Sequence, residues 1–131
     1  MGIEIPPTLD YLHKTYPKLK WINYYDLDKV SLTADVVICS DVIEHVDNPN
    51  HLIADLKSIK EAVYFIISTP DRSLVNQTQW GPPLNKTHFR EWNFDEFGKY
   101  ISNHFEILEH YVSNRKQATQ VIIAKRKNTV I

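Results

Sequence analysis

The sequence predicts an α/β fold with a mostly parallel sheet, on three observations. Two short, β-branched apolar runs, Ala34 to Cys39 and Ala62 to Ile67, read as buried parallel strands. Between them Leu52, Ile53, Leu56 and Ile59 recur at helical spacing, so the segment reads strand–helix–strand with a right-handed crossover. Towards the C-terminal end, Phe105 to Val112 and Gln120 to Ala124 read as an antiparallel strand pair that ends the sheet. The 131 residues contain no internal repeat, low-complexity segment or linker, which predicts a single domain, 1–131, with a sizeable core.

Taken in chain order, Thr8 to Tyr16 reads as a helix whose apolar positions are Leu9, Leu12 and Tyr16. Pro6 and Pro7 suit its first turn and Pro17 ends it. Trp21 to Tyr25 reads as a strand finishing at Asp26. After the Ala34 to Cys39 strand, Asp47, Asn48 and Pro49 supply the capping and first-turn chemistry of a helix over Asn50 to Ile59. Asp71 to Glu91, following the second apolar run, is long and polar and holds the Gly-Pro-Pro; a loop of that length in a compact domain usually serves function. Asn93 then caps a helix to about Ser102 that buries Phe94, Phe97, Tyr100 and Ile101.

Composition removes several classes of function. Hydrophobic residues make up 43% and charged residues 24%, both ordinary for a globular protein. A formal net charge of −1 leaves no strong basic field for nucleic acid or an anionic membrane. Lys125-Arg126-Lys127 reads as a solvated strand end. The single cysteine, Cys39, excludes an intrachain disulfide and a multi-cysteine zinc site. The apolar runs are too short to span a bilayer, and the N-terminus lacks a basic-then-apolar signal, so the expected compartment is cytoplasmic. Gly2, Gly81 and Gly98 are far apart, so a glycine-rich phosphate loop is absent.

The densest polar constellation is Asp41-Val42-Ile43-Glu44-His45, directly after an apolar strand, where ligands bind in open parallel sheets. In a helical turn Asp41, Glu44 and His45 share one face, which suits a divalent cation or an acid–base pair. Spacing alone leaves a second and commoner reading open, an exposed turn in which Asp41 caps a helix. His88 adds weight to the first reading. It follows the neighbouring parallel strand, and loops after adjacent parallel strands lie on one edge of the sheet. Its plainer reading is a loop histidine bonded to the backbone. Arg90 reads as an ion-pair partner for Glu91 or Glu44, and Trp92 as core. Ser68 and Thr69 end a strand where hydroxyls can orient a substrate, although both residues also commonly terminate strands. No serine sits in a glycine-flanked elbow, and Cys39 reads as inert packing. Tyr24, Tyr25, Trp80 and Trp92 are candidates for stacking on a planar ligand, and more commonly such residues are core or loop anchors.

Several of these segments resemble a known family. The stretch from Ala34 through Ser40-Asp41-Val42-Ile43-Glu44-His45 to Pro49 resembles the fourth strand and following turn of class I S-adenosylmethionine-dependent methyltransferases. Phe65-Ile66-Ile67-Ser68-Thr69-Pro70 resembles their fifth strand. His88-Phe89-Arg90-Glu91-Trp92, with Phe94 and Phe97 after it, resembles the stretch before their last helix. The likeness runs from about Gly2 to Lys125. It implies a Rossmann-like methyltransferase fold and methyl transfer from S-adenosylmethionine to an oxygen or nitrogen of a small-molecule acceptor. Gly2-Ile3-Glu4 resembles the end of the family's second strand, which implies that Glu4 accepts from the ribose hydroxyls. Asp26-Leu27 resembles the pair that contacts adenine, and Ser40 and Asp41 match the turn beside the methionine moiety. The family's first strand and glycine-rich loop have no counterpart here. The resemblance therefore implies a domain incomplete at its N-terminus, with a sheet completed by a second copy or partner chain, or with rearranged first strands.

Small-RNA 2′-O-methyltransferases and ubiquinone-pathway O-methyltransferases of this family hold a divalent metal on an acidic-x-x-Glu-His element. Residue by residue, that implies Asp41, Glu44 and His45 as ligands, His88 as a fourth, and magnesium or manganese as the ion. His45 and His88 are also the candidate catalytic bases, because imidazole titrates near neutral pH. The balanced charge makes a small molecule the expected acceptor, and neither nucleic acid nor a membrane is expected as a partner. An alternative is an inactive methyltransferase-like subunit that acts by protein association. A weaker third reading, a metal-dependent hydrolase on the same four residues, predicts metal binding without S-adenosylmethionine binding.

Overall fold

A computed structural model describes residues 1–75 and 81–128. They fall into two compact units, Met1–Leu32 and Thr33–Ile131. In the first unit, strands β1 (Gly2–Glu4) and β2 (Trp21–Asn23) pair in parallel around helix α1 (Thr8–Thr15) in sequence, with Gly2 opposite Trp21 and Glu4 opposite Asn23. Gly2 is needed there, because a Cβ at that position would overlap the Trp21 ring. Leu9 of α1 is buried, whereas Tyr16, just past the helix, is exposed. Its carbonyl accepts from the Trp21 indole at 3.1 Å. β2 is shorter than its aromatic composition predicts. The Asn23 side chain accepts from the Tyr25 amide at 3.0 Å and caps a 3-10 helix over Tyr24–Lys29. Tyr24, Tyr25, Asp26 and Leu27 are therefore helical rather than extended.

The second unit is built on a four-stranded sheet. Its strands are β3 (Val36–Ser40), β4 (Tyr64–Pro70), β5 (Phe105–Asn114) and β6 (Thr119–Arg126), in the order β3-β4-β6-β5. β3 and β4 run parallel, joined through helix α2 (Pro49–Lys57), as the strand–helix–strand pattern predicts. The other two pairings are antiparallel, because the β5–β6 hairpin lays its second strand against β4. The sheet is thus mixed rather than mostly parallel. β3 also alternates. Val37 and Cys39 are buried and Val36 and Ile38 are exposed, so this strand is covered on one face only.

The helices start where their polar residues dictate. The Asn48 side chain accepts from the amides of Asn50 and His51, with Pro49 in the first turn of α2. Ahead of helix α4 (Phe94–Ser102), Asn93 and Glu96 form a reciprocal capping box with two bonds of 2.9 Å. The segment after β4 is not all loop, since Asp71 accepts from the Ser73 amide and hydroxyl and opens a short helix, α3 (Arg72–Val75). Trp80 lies outside the described residues. Phe65, Ile67, Phe97, Ile101, Phe105 and Ile122 form the centre of the core. Among the described residues no helix is long and apolar enough to cross a membrane.

Candidate functional site

The carboxyl ends of β3 and β4 carry the site. Asp41 follows β3 with φ of 52°, in the left-handed region that aspartate tolerates better than most residues, and its amide donates to the Ser68 carbonyl. That turn reverses the chain into a 3-10 helix over Ile43–His45. Ile43 is fully buried and anchors the turn, which draws the adjacent Glu44 inward to 1% exposure. Across the β3–β4 ladder, the fully buried Thr69 donates from Oγ1 to Glu44 Oε2 at 2.9 Å. Burial pushes the Glu44 carboxyl up. Its own backbone, the Thr69 hydroxyl and the nearby His45 oppose that, while Asp41 adds to it.

The loop before α4 closes over this turn. The Phe89 amide donates to the Glu44 carbonyl at 2.8 Å. Arg90 donates to the carbonyls of Val46 at 2.9 Å and Asp47 at 2.7 Å, and its guanidinium lies 5.8 Å from the Trp92 ring centroid. Arg90 thus fastens one loop to the other through carbonyls, where its charge had suggested a carboxylate partner. Trp92 is half-buried and stacks on Tyr100. With the loops tied in this way, Glu44, His45 and His88 each offer a ligand atom, and the three atoms lie within 4.8 Å of one another. The rings of His45 and His88 meet edge to face at 4.6 Å between centroids.

Each of the three side chains is held by its second polar atom. His45 Nδ1 lies 3.1 Å from the Thr87 carbonyl, which can only accept, so Nδ1 carries a proton and in the neutral ring Nε2 is the nitrogen with the lone pair. That Nε2 is 3.8 Å from Glu44 Oε1. His88 Nδ1 is 2.9 Å from Glu91 Oε1, which likewise leaves Nε2 as its free nitrogen. Glu91 is buried, and among the described residues its Oε2 has no hydrogen-bond partner. Two buried carboxylates, faced by imidazoles with bare nitrogens, make an electron-rich pocket. A borderline divalent cation fits such a donor set.

The remaining expected site residues are placed as follows. Asp41 is exposed and stands outside the three-ligand group. Ser68 Oγ donates to Asp41 Oδ1 at 3.4 Å and Ser40 Oγ lies 2.9 Å from Ser68 Oγ, a chain of polar groups along the strand ends. In the first unit, Glu4 ends β1 and accepts from the Ile5 amide at 2.9 Å. Asp26 accepts from Lys29 at 3.1 Å in the 3-10 helix that also contains Leu27. Two contributors were not singled out from the sequence in their actual roles. Thr69 reads as a strand terminator, and its partner is distant in sequence. Glu91 reads as an ion-pair partner of Arg90, although its spacing of three from His88 was an available signal.

Comparison with known proteins gives the family. The methyltransferase-domain family matches residues 6–110. No curated protein matches the chain. Among solved structures, the chain is similar to one from the Pnkp1/Rnl/Hen1 RNA repair complex, with 22% identity, a TM-score of 0.63, and coverage of 89% of this chain and 29% of that one. It is similar to the small RNA methyltransferase HEN1, with 22% identity and a TM-score of 0.57, over 72% of this chain and 14% of that one. It is also similar to the 1,6-didemethyltoxoflavin-N1-methyltransferase of Burkholderia thailandensis with bound S-adenosylhomocysteine, at 16% identity, TM-score 0.63, 96% of this chain and 60% of that one. The chain therefore spans 29% and 14% of the first two of these proteins. These likenesses speak for the fold. With the family match running over most of its length, the chain belongs to the class I S-adenosylmethionine-dependent methyltransferase family.

Proposed function

We propose that this domain transfers a methyl group from S-adenosylmethionine to a hydroxyl oxygen of a small-molecule acceptor, at a site where Glu44, His45 and His88 hold a divalent cation. The observation that carries the reading is the convergence of one buried carboxylate and two imidazoles within 4.8 Å at the carboxyl ends of β3 and β4. Two nitrogens and one oxygen favour manganese over magnesium, which prefers oxygen ligands and retains its waters. Bound S-adenosylmethionine would supply an electrophilic methyl group, the S–CH3 bond of its sulfonium breaking to leave the thioether as the acceptor oxygen bonds to the methyl carbon. A bound cation would supply positive charge beside the acceptor hydroxyl and so lower its pKa.

The chain's own groups then have distinct tasks. Glu44, kept in place by Thr69, and His88, kept in place by Glu91, orient the acceptor side of the site. His45 is the most exposed of the three, with a side chain 41% accessible; its Nε2 would take the hydroxyl proton in the cation-free chain, and with the cation held the proton would pass to solvent. Ser40 and Asp41 flank the methionine moiety. In the first unit, Glu4, Asp26 and Leu27 are the residues that the family resemblance assigns to the ribose hydroxyls and the adenine. The formal net charge of −1 supports a small acceptor over a long polyanion.

Calorimetric titration with S-adenosylmethionine, with and without manganese, tests the reading. Saturable one-to-one cofactor binding is expected. Manganese binding is expected in the unaltered chain and is lost in Glu44→Ala and His45→Ala, with circular dichroism unchanged. A folded chain that does not bind the cofactor overturns the methyltransferase reading. Unchanged manganese affinity in both variants overturns the metal site. Label transferred from the cofactor to an RNA oligonucleotide in preference to small hydroxyl compounds overturns the acceptor class.

A further inference from the structure

The loop that brings His88 to the site also brings a carboxylate whose presence its surroundings do not otherwise explain. Glu91 has a fully buried side chain, and the His88 side chain is only 9% exposed. Burying a carboxylate is costly unless it is well bonded, yet among the described residues Glu91 has a hydrogen bond from His88 Nδ1 and no partner for its Oε2. Its neighbour Arg90 is engaged by the carbonyls of Val46 and Asp47. A residue that only filled this space would be better apolar.

The backbone around Glu91 is set independently of His88. The Trp92 carbonyl accepts from the Arg72 amide at 2.9 Å and from the Gln120 side chain at 3.1 Å. Gln120 is fully buried, also donates to the Pro70 carbonyl at 3.3 Å, and through its Oε1 accepts from His110 Nε2 at 2.8 Å. Trp92 further bridges to Asp71. The end of β4 and the middle strand β6 therefore fix where Glu91 stands, and Glu91 in turn fixes the ring of His88.

We propose that Glu91 is a positioning residue that holds His88 with its proton on Nδ1, so that Nε2 meets the Glu44–His45 pair as a lone-pair donor rather than as an N–H. This rests on the cation reading above. His45 receives the same hold from the Thr87 carbonyl, a backbone group that substitution cannot remove. Glu91 is the side chain through which the arrangement can be tested.

The test uses the whole chain and two readouts. Long-range proton–nitrogen correlation of the histidine rings in the metal-free protein, at about pH 8.5 where imidazole is neutral, reads the tautomer directly. His88 is expected with its proton on Nδ1, and Glu91→Leu is expected to lose that preference. Manganese titration of the same samples is expected to show affinity lower by about ten- to a hundredfold in Glu91→Leu, and a smaller loss in Glu91→Gln. A wild-type His88 protonated on Nε2 overturns the proposal, and that result needs no variant to fold. So does a folded Glu91→Leu that binds manganese as tightly as the wild type. A wild-type chain with the expected tautomer and no manganese binding supports the hold of Glu91 on His88 and overturns the cation reading, so the two fail separately.

Discussion

At Cys39, burial pushes the thiol up to about 12, with the carboxylates of Glu44 and Asp41 adding to the effect. At pH 8 only about one molecule in ten thousand then carries the reactive thiolate. The native chain is expected to react with a disulfide reagent at least about a hundredfold more slowly than the urea-unfolded chain; similar rates would show that β3 opens readily. His104 moves the other way. Burial, then Lys57 and Lys127, hold its imidazole below the ordinary value of 6.5. The unfolded chain therefore binds more protons at His104 than the folded chain between the lowered value and 6.5, so stability rises with pH through that window and is lost as pH falls. His104→Gln is expected to flatten that part of the stability–pH curve, measured by urea midpoints; an unchanged slope contradicts it. Glu44, His45 and His88 could be picked out as candidates because carboxylates and imidazoles announce their chemistry by type, whereas Asp41, expected beside them, stands outside the group they form. Thr69 could not be picked out, because a hydroxyl becomes informative only when its partner is known, and Glu44 lies 25 residues away.

Helix starts are local, and so their energetics can be predicted locally. Asn93→Ala removes one half of the α4 capping box and is expected to cost about 1 kcal/mol, read as a lower urea midpoint with unchanged slope. Gln120→Leu acts over a longer range. It strips partners from the carbonyls of Pro70 and Trp92 and from His110, so a loss of about 1–3 kcal/mol is expected. It should also weaken manganese binding, because the Trp92 carbonyl anchors the segment that carries Glu91. Stability loss without any change in metal affinity would separate the clamp from the site. Gly98 of α4 belongs to the same contact, since a Cβ there would approach His110 Nδ1 to 3.1 Å. The caps at Asn48 and Asn93 were legible from three or four residues of sequence. The 3-10 helix after β2 was not, because Trp21 to Tyr25 has strand-like composition and a single Asn23 hydrogen bond redirects it.

For the molecule as a whole, cation binding and folding stability are linked, because a cation that binds the folded chain alone stabilises it by mass action. Manganese at a hundredfold excess over its dissociation constant is expected to add about 2.7 kcal/mol, seen as a raised melting temperature that chelation reverses. His88→Ala should abolish the increase; a rise that survives that substitution places the ion elsewhere. The strand–helix–strand unit of β3, α2 and β4, the closing hairpin and the helix caps follow from the sequence itself, because periodicity and capping depend on neighbours a few residues apart. The position of the site at the strand ends follows too, since adjacent parallel strands place their following loops on one edge. The mixed sheet, in which β6 lies between β4 and β5, depended on which ladder the returning hairpin joins. The site's inner support was decided in the same way. Thr69 on Glu44 and the Thr87 carbonyl on His45 are contacts between segments that only packing brings together, and Glu91 on His88, though local in sequence, is set by the burial of its loop, because a buried group's partners are chosen by the space around it.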